Sequence, residues 1–293
     1  MNTLKIQRKH LLSLPLVVFL TAFIIFPTIY LWYLAFHKVT FTHMESPTFC
    51  GIENFIKALN PVVDLANSLI FSFKFAIVAT TIELSFGLIL ALMFKRDFRG
   101  KSIFLMLLLL PMITSSAMFG VIGRLLFNEE IGTATYLVNL FAGVFNVHIS
   151  PLSKDWVFPT LIFLDMVHWV PFIFLFIYTD LRSLPREYTD AALVDGATSW
   201  VIFRHITLPY LKPMLGVLAV IRFADAFNTF DIIYTLTGGG PGSLTTSYSI
   251  KVYELAFVKG NFGLGAAASL IGFFTLIIPL SLTIIYTRRR WVK

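Results

Sequence analysis

Long apolar runs decide what this chain can become. Near residues 11–36, 68–94, 103–126, 157–178, 214–236 and 264–286 the residues are mostly apolar without a break. A hydrocarbon core about 30 Å thick needs roughly 20 residues of helix, so each run is long enough to cross it. Inside lipid every backbone polar group must be satisfied within the segment, which makes these runs helices. The expected fold is all-α, a polytopic membrane protein with six transmembrane helices forming one transmembrane domain over residues 1–293. A hydrophobic fraction of 57% with only 13% charged residues excludes a soluble domain, in which about a quarter of residues are charged.

The basic residues orient the runs, because connections on the cytoplasmic side are enriched in Lys and Arg. One set of alternating connections holds Lys5, Arg8, Lys9, Lys95, Arg96, Arg99, Lys101, Arg182, Arg186, Arg204, Lys212, Arg288, Arg289, Arg290 and Lys293. The other set, near residues 37–67, 127–156 and 237–262, holds Lys38, Lys57, Lys154, Lys251 and Lys259. Fifteen against five predicts cytoplasmic termini and a multi-pass protein of the cell membrane. It also explains the formal charge of +7 without nucleic acid, since the basic residues flank apolar runs and form no soluble face. The first run is longer than the apolar core of a signal peptide and no small-residue cleavage site ends it, so it is read as an uncleaved first span. Pro15 and Pro27 are possible kinks within it.

The longest polar interruption, the connection at 182–212, lies on the cytoplasmic side in this scheme. Pro185 suits a helix start, and Glu187 and Asp190 put negative charge near that helix's positive end. Gly196 can stop the helix in a left-handed conformation, and Thr198 or Ser199 can cap a second helix running to Ile206. The result is a helix-turn-helix elbow. Ala191, Ala192, Gly196 and Ala197 are small enough for another surface to approach the backbone, while Trp200, Val201 and Phe203 supply bulk for anchoring.

Asp190-Ala191-Ala192, then Gly196-Ala197 after three residues, then Ile206-Thr207-Leu208-Pro209, resembles the EAA loop of permease subunits in bacterial and archaeal ABC importers. Asp190 stands where that loop usually has Glu. Leu184-Pro185 before the loop and Gly238-Gly239-Gly240-Pro241-Gly242 after the next apolar run narrow the resemblance to the maltose-type carbohydrate permeases, over roughly residues 10 to 290. The resemblance implies an ATP-driven importer of a sugar, oligosaccharide or related polyol phosphate, working by alternating access. It implies as partners a second homologous permease, two ATP-binding subunits seated on the elbow at Glu187, Asp190, Ala191, Ala192, Gly196, Ala197, Leu208 and Pro209, and an extracytoplasmic solute-binding protein. ATP and Mg²⁺ would be bound by the separate ATPase, leaving this chain without a cofactor. In such permeases the Phe-Asn-x-Phe segment before the glycine turn lines the sugar cavity, and Phe227-Asn228-Thr229-Phe230 resembles it, which makes Asn228 a pathway residue.

Polar groups within apolar runs are costly and therefore functional or paired. Arg222, Asp225, Asn228 and Asp231 recur every three residues, one slowly drifting stripe if the fifth span is a single helix. Arg222 and Asp225 suit either an ion pair or a pathway; Asp231 follows Asn228. In the fourth run Asp165, His168 and Trp169 share a face, to meet a hydroxyl-rich ligand or to join two helices through an Asp–His pair. Glu83 is a lone acid open to either role, Lys74 is placed to snorkel to the interface, and most of the 31 Phe face lipid.

Other chemistries find little footing. Gly100-Lys101-Ser102 lacks the leading glycine of a phosphate-binding loop, because Lys95 stands there. The six His show no zinc spacing, no nucleophile elbow occurs, and the one Cys, Cys50, is a free thiol, so an enzyme is not expected. The rival reading is an ion-gradient-driven secondary transporter using Asp165, Asp225 or Asp231, against which the absence of a repeat and the polar elbow both weigh.

Overall fold

The computed structural model describes residues 14–145 and 147–291. Lys5, Arg8, Lys9 and Lys293 of the charge pattern lie outside the described residues, as does the start of the first apolar run. The chain divides into two compact units. One joins the described residues up to Ala66 with those from Lys251 onward; the other is Asn67–Ile250.

In the first unit, helix α1 (Leu14–Ala35) packs on the C-terminal helix (Phe262–Trp291) through Ala35, Ala266, Ala267 and Leu270. Small residues let the two backbones approach, the usual device where lipid gives helices no hydrophobic reason to associate. After α1 come a short hairpin, β1 (His37–Lys38) with β2 (Thr48–Phe49), and helix α2 (Glu53–Ala58). Buried Asn54 in α2 donates to the carbonyls of Ala35 and His37 at 3.0 and 2.9 Å, satisfying groups that the end of α1 leaves open. Outside the apolar spans, Glu53 bridges Lys38 and Lys57 at 2.8 and 2.7 Å, and hydrogen bonds from these ammonium groups hold its carboxyl down to about 2.

The second unit begins with α3 (Leu65–Phe94), continues through α4 (Lys101–Ile113), α5 (Ser116–Leu126) and α6 (Thr133–Ala142), and reaches α7 (Val157–Ser183). It ends with α8 (Arg186–Val194), α9 (Ser199–Phe227) and α10 (Asp231–Thr237). Ile173, Phe174, Ile177 and Leu181 of α7 form its core with Ala91, Leu211 and Leu218. At Gly87 a Cβ would sit 2.6 Å from Ile173 Cγ2, so α3 and α7 meet at a distance that only glycine permits.

Among the described residues five helices are long and apolar enough to cross a membrane, and α4 with α5 forms a sixth stretch bent by 98°. The sequence reading expected one helix over 103–126. Thr114 and Ser115 leave the helical conformation, and the Ser115 hydroxyl accepts from Met118 N–H to cap a new helix. The 13 residues of α4 extend only about 20 Å. Of the three π turns among the described residues, the one at Glu254–Val258 stands apart; the other two, in α1 at Thr21–Ile25 and in α9 at Phe203–Thr207, are each followed at the second residue by a proline, Pro27 or Pro209. In the wide turn the following N–H reaches back five residues, from Phe26 to Thr21 and from Leu208 to Phe203. The irregular turn accommodates a ring that would clash with the carbonyl four residues back in a regular helix.

Candidate functional site

The elbow forms from local rules. Pro185, extended at φ −59° and ψ 134°, precedes α8, and Glu187 lies in its first turn. The helix ends where Gly196 takes φ +77°, while Gly196 N–H and Ala197 N–H donate to the carbonyls of Leu193 and Ala192 at 3.0 and 2.9 Å. Thr198 then caps α9 through Val201 N–H. The second elbow helix does not stop at Ile206 as the sequence suggested. Because the π turn admits Pro209, α9 runs unbroken through Leu208 and Pro209 to Phe227. Val194 is 88% exposed and Trp200 65%, and a Cβ built on Gly196 would touch nothing within 4 Å. Asp190 and Ala191 are exposed, with Ala192 and Ala197 half-buried beside them.

The second site is built around Arg222 of α9, the largest fully buried side chain in the described structure. Its Nε and Nη2 donate in parallel to the Glu83 carboxylate of α3 at 2.6 and 3.0 Å. Nη2 also donates to Asp165 of α7, and Nη1 donates to Asp225 at 2.6 Å. The Trp169 ring lies over the guanidinium, 4.8 Å from centroid to Cζ, a cation–π contact. Three carboxyl groups from three helices thus share one cation in a place where an unpaired charge would be costly.

Asp225 faces two ways. Its pair with Arg222 satisfies the structural reading, yet its side chain remains 48% exposed and borders a cavity of about 150 Å³. Asp165, Trp169, Asn228, Asp231 and Ser116 border it too. Four of the pathway residues expected from sequence therefore meet Asp225 at one place. His168 is not among the lining residues; its Nε2 lies 3.3 Å from Ser116 Oγ, and Asp165 pairs with Arg222, so the expected Asp–His pair is not formed.

The regular stripe is also corrected. Helix α9 ends at Phe227, Asn228 terminates it with N–H bonds to Ala224 and Asp225, and α10 starts afresh at Asp231. Asn228 Nδ2 donates to the Ala224 carbonyl at 2.8 Å. The break brings Asn228 and Asp231 to the cavity by a turn and not by helical period. Beyond it α10 packs on α5, where a Cβ on Gly120 would lie 2.8 Å from the Ile232 carbonyl. It stops at Gly238, φ +63°, and the Thr245 and Thr246 hydroxyls donate to the carbonyls of Gly240 and Gly239 at 2.7 and 3.2 Å.

Sequence reasoning missed that Glu83 and Arg222 are partners. The usable signal was cost: a cation within an apolar run needs acids from other runs, and Glu83 and Asp165 were available. Lys101, of the Gly100-Lys101-Ser102 segment, is occupied by Asp97 at 2.8 Å, and that hydrogen bond lowers the Asp97 carboxyl.

Comparison with known proteins gives this geometry a context. The trehalose/maltose transport system permease protein MalF of Thermococcus litoralis is 32% identical over 282 residues, covering 95% of this chain and 92% of that protein. The sn-glycerol-3-phosphate transport system permease protein UgpA of Agrobacterium fabrum is 31% identical over 241 residues, covering 81% of this chain and 79% of that protein. A crystal structure of a bacterial ABC transporter involved in the import of the acidic polysaccharide alginate has the same fold in one chain, with a TM-score of 0.83 at 20% identity over 97% of both chains. Residues 83–290 match a family described as the binding-protein-dependent transport system inner membrane component. With that family matching residues 83–290 and a relative 32% identical over nearly its whole length, the chain belongs to the family of inner membrane components of binding-protein-dependent transport systems.

Proposed function

We propose that this chain is one permease half of an ATP-driven importer for a sugar, oligosaccharide or related polyol phosphate, with the cavity beside Arg222 on the solute path and the elbow seated on a separate ATPase. Its partners in this reading are a second homologous permease, two ATP-binding subunits that hold the ATP and Mg²⁺, and an extracytoplasmic solute-binding protein. Both termini and the elbow lie in the cytoplasm. The observation that carries the reading is the single helix α9, which starts at the exposed elbow and ends on the cavity. ATP-driven closure of the ATPase pair would move the elbow, and α9 would transmit that movement to the cavity wall, opening it to alternate sides. Elbow residues Glu187, Asp190, Ala191, Ala192, Gly196 and Ala197 would form the docking surface, with Leu208 and Pro209 bracing its base. The names of the relatives, which carry trehalose and maltose or sn-glycerol-3-phosphate, support the solute class.

Uptake into proteoliposomes tests the reading. With the whole complex reconstituted, solute accumulation should require ATP and the ATPase chains and ignore proton and sodium gradients. Uptake driven by an ion gradient without ATP would replace this reading with a secondary transporter.

A further inference from the structure

The importer reading leaves the charge of the solute open, and the cavity bears on it. Among the described residues, no Lys or Arg lines the cavity. The nearest cation in the described network, Arg222, is 1% exposed, donates to three carboxylates and has its face covered by Trp169. The neutral donors at its wall are partly committed, one Asn228 amide N–H to the Ala224 carbonyl and the Thr229 hydroxyl to the Asp225 carbonyl. Carboxylates, by contrast, reach the cavity: Asp225, which holds Arg222 through Oδ2, and Asp231 are both exposed.

A wall that presents carboxylates and no lining Lys or Arg suits one kind of solute. A phosphate, carboxylate or sulfonate brings only acceptors, together with a charge of the same sign as the wall. A hydroxyl brings a donor, and hydroxyl-to-carboxylate hydrogen bonds are short and about twice as strong as neutral ones. Trp169 and Phe230 add aromatic surface on which the apolar face of a sugar ring can rest. We propose, building on the importer reading, that this cavity selects an uncharged, hydroxyl-donating solute and rejects anionic ones through Asp225 and Asp231.

The test uses the assembled permease–ATPase complex without the solute-binding protein, so that the selectivity measured belongs to the permease. Maltose and its carboxylate counterpart maltobionate, similar in size, serve as probes in a saturation-transfer NMR titration. Maltose should bind, and maltobionate should bind roughly tenfold or more weakly. In Asp231→Asn, where an acceptor remains but the charge is gone, that ratio should fall several-fold. Asp231 is exposed at the start of α10, so this change leaves the buried Arg222 network intact. Equal or tighter maltobionate binding, or a ratio unchanged in both Asp231→Asn and Asp225→Asn, overturns the proposal. Binding of neither probe, in a complex that retains its ATPase and hydrolyses ATP, also overturns it while leaving the importer reading in place. Failure of the ATPase to assemble with the wild-type chain counts against the importer reading itself, and the titration on the permease alone then decides the selectivity.

Discussion

Arg222 and Glu83 stand 139 residues apart in the chain and meet through two parallel hydrogen bonds, 2.6 and 3.0 Å long, at full burial. This fork joins the second apolar span to the fifth, and Asp165 brings in the fourth. Such a cluster is worth little against a well-packed apolar core of the same shape, but losing one member leaves charges stranded.

Arg222→Met should therefore destabilise the protein by about 3–5 kcal/mol, because three acids lose their only cation. Glu83→Gln keeps an acceptor and should cost less, about 1–3 kcal/mol. Membrane yield and thermal unfolding in detergent measure both. Wild-type melting in Arg222→Met would show that the network carries no structural weight.

At the elbow, Gly196 takes a left-handed turn on an exposed apolar surface, and a Cβ there costs roughly 1–2 kcal/mol in backbone strain. Gly196→Asp adds a charge to the proposed docking surface, where burial without a partner costs several kcal/mol more. The expected outcome is weaker ATPase co-purification, or ATP hydrolysis that no longer drives uptake. Normal docking together with normal uptake would remove the elbow from the coupling scheme.

Asn228→Ala should lower transport several-fold with normal insertion and ATPase assembly, since one hydrogen bond to a solute contributes about 0.5–1.5 kcal/mol. The Asn228 bond to Ala224 also ends α9, so the measurement pairs uptake with melting temperature. Unaltered kinetics would take Asn228 off the solute path; a drop in melting that accounts for the whole loss of uptake would do the same.

The topology is open to cysteine labelling. Native Cys50 is half-buried, its thiol directed at the Phe36 carbonyl at 3.4 Å, and makes a poor reporter. In a Cys50→Ser background, a cysteine replacing exposed Ser46 should react with an impermeant reagent on intact cells, and one replacing exposed Ser199 should not. The opposite pattern would invert the protein.

What was legible in the sequence follows from what physics makes local. The apolar runs declared themselves because desolvation is paid residue by residue, and Gly196 and Thr198 declared helix ends because their conformations depend on few neighbours. The bend after α4 and the break at residues 228–230 were hidden, since apolarity records burial and not direction. The same limit made Arg222, Asp225, Asn228 and Asp231 look like one stripe. Five pathway residues were picked out by their polarity, but their meeting at one cavity, and the place of Glu83 behind them, depended on contacts between distant segments.

Helix α9 has 29 residues from Ser199 to Phe227, a rod about 43 Å long. No loop separates its elbow end from Asp225, so there is no joint at which a twist could be lost. In the proposed coupling, a rotation imposed on Trp200 would arrive at the cavity as a rotation of the same shaft, interrupted in its regular bonding by the π turn and by Pro213. Communication between the two ends would in this sense be torsional, and its fidelity would depend on the stiffness of one helix more than on any chain of side-chain contacts.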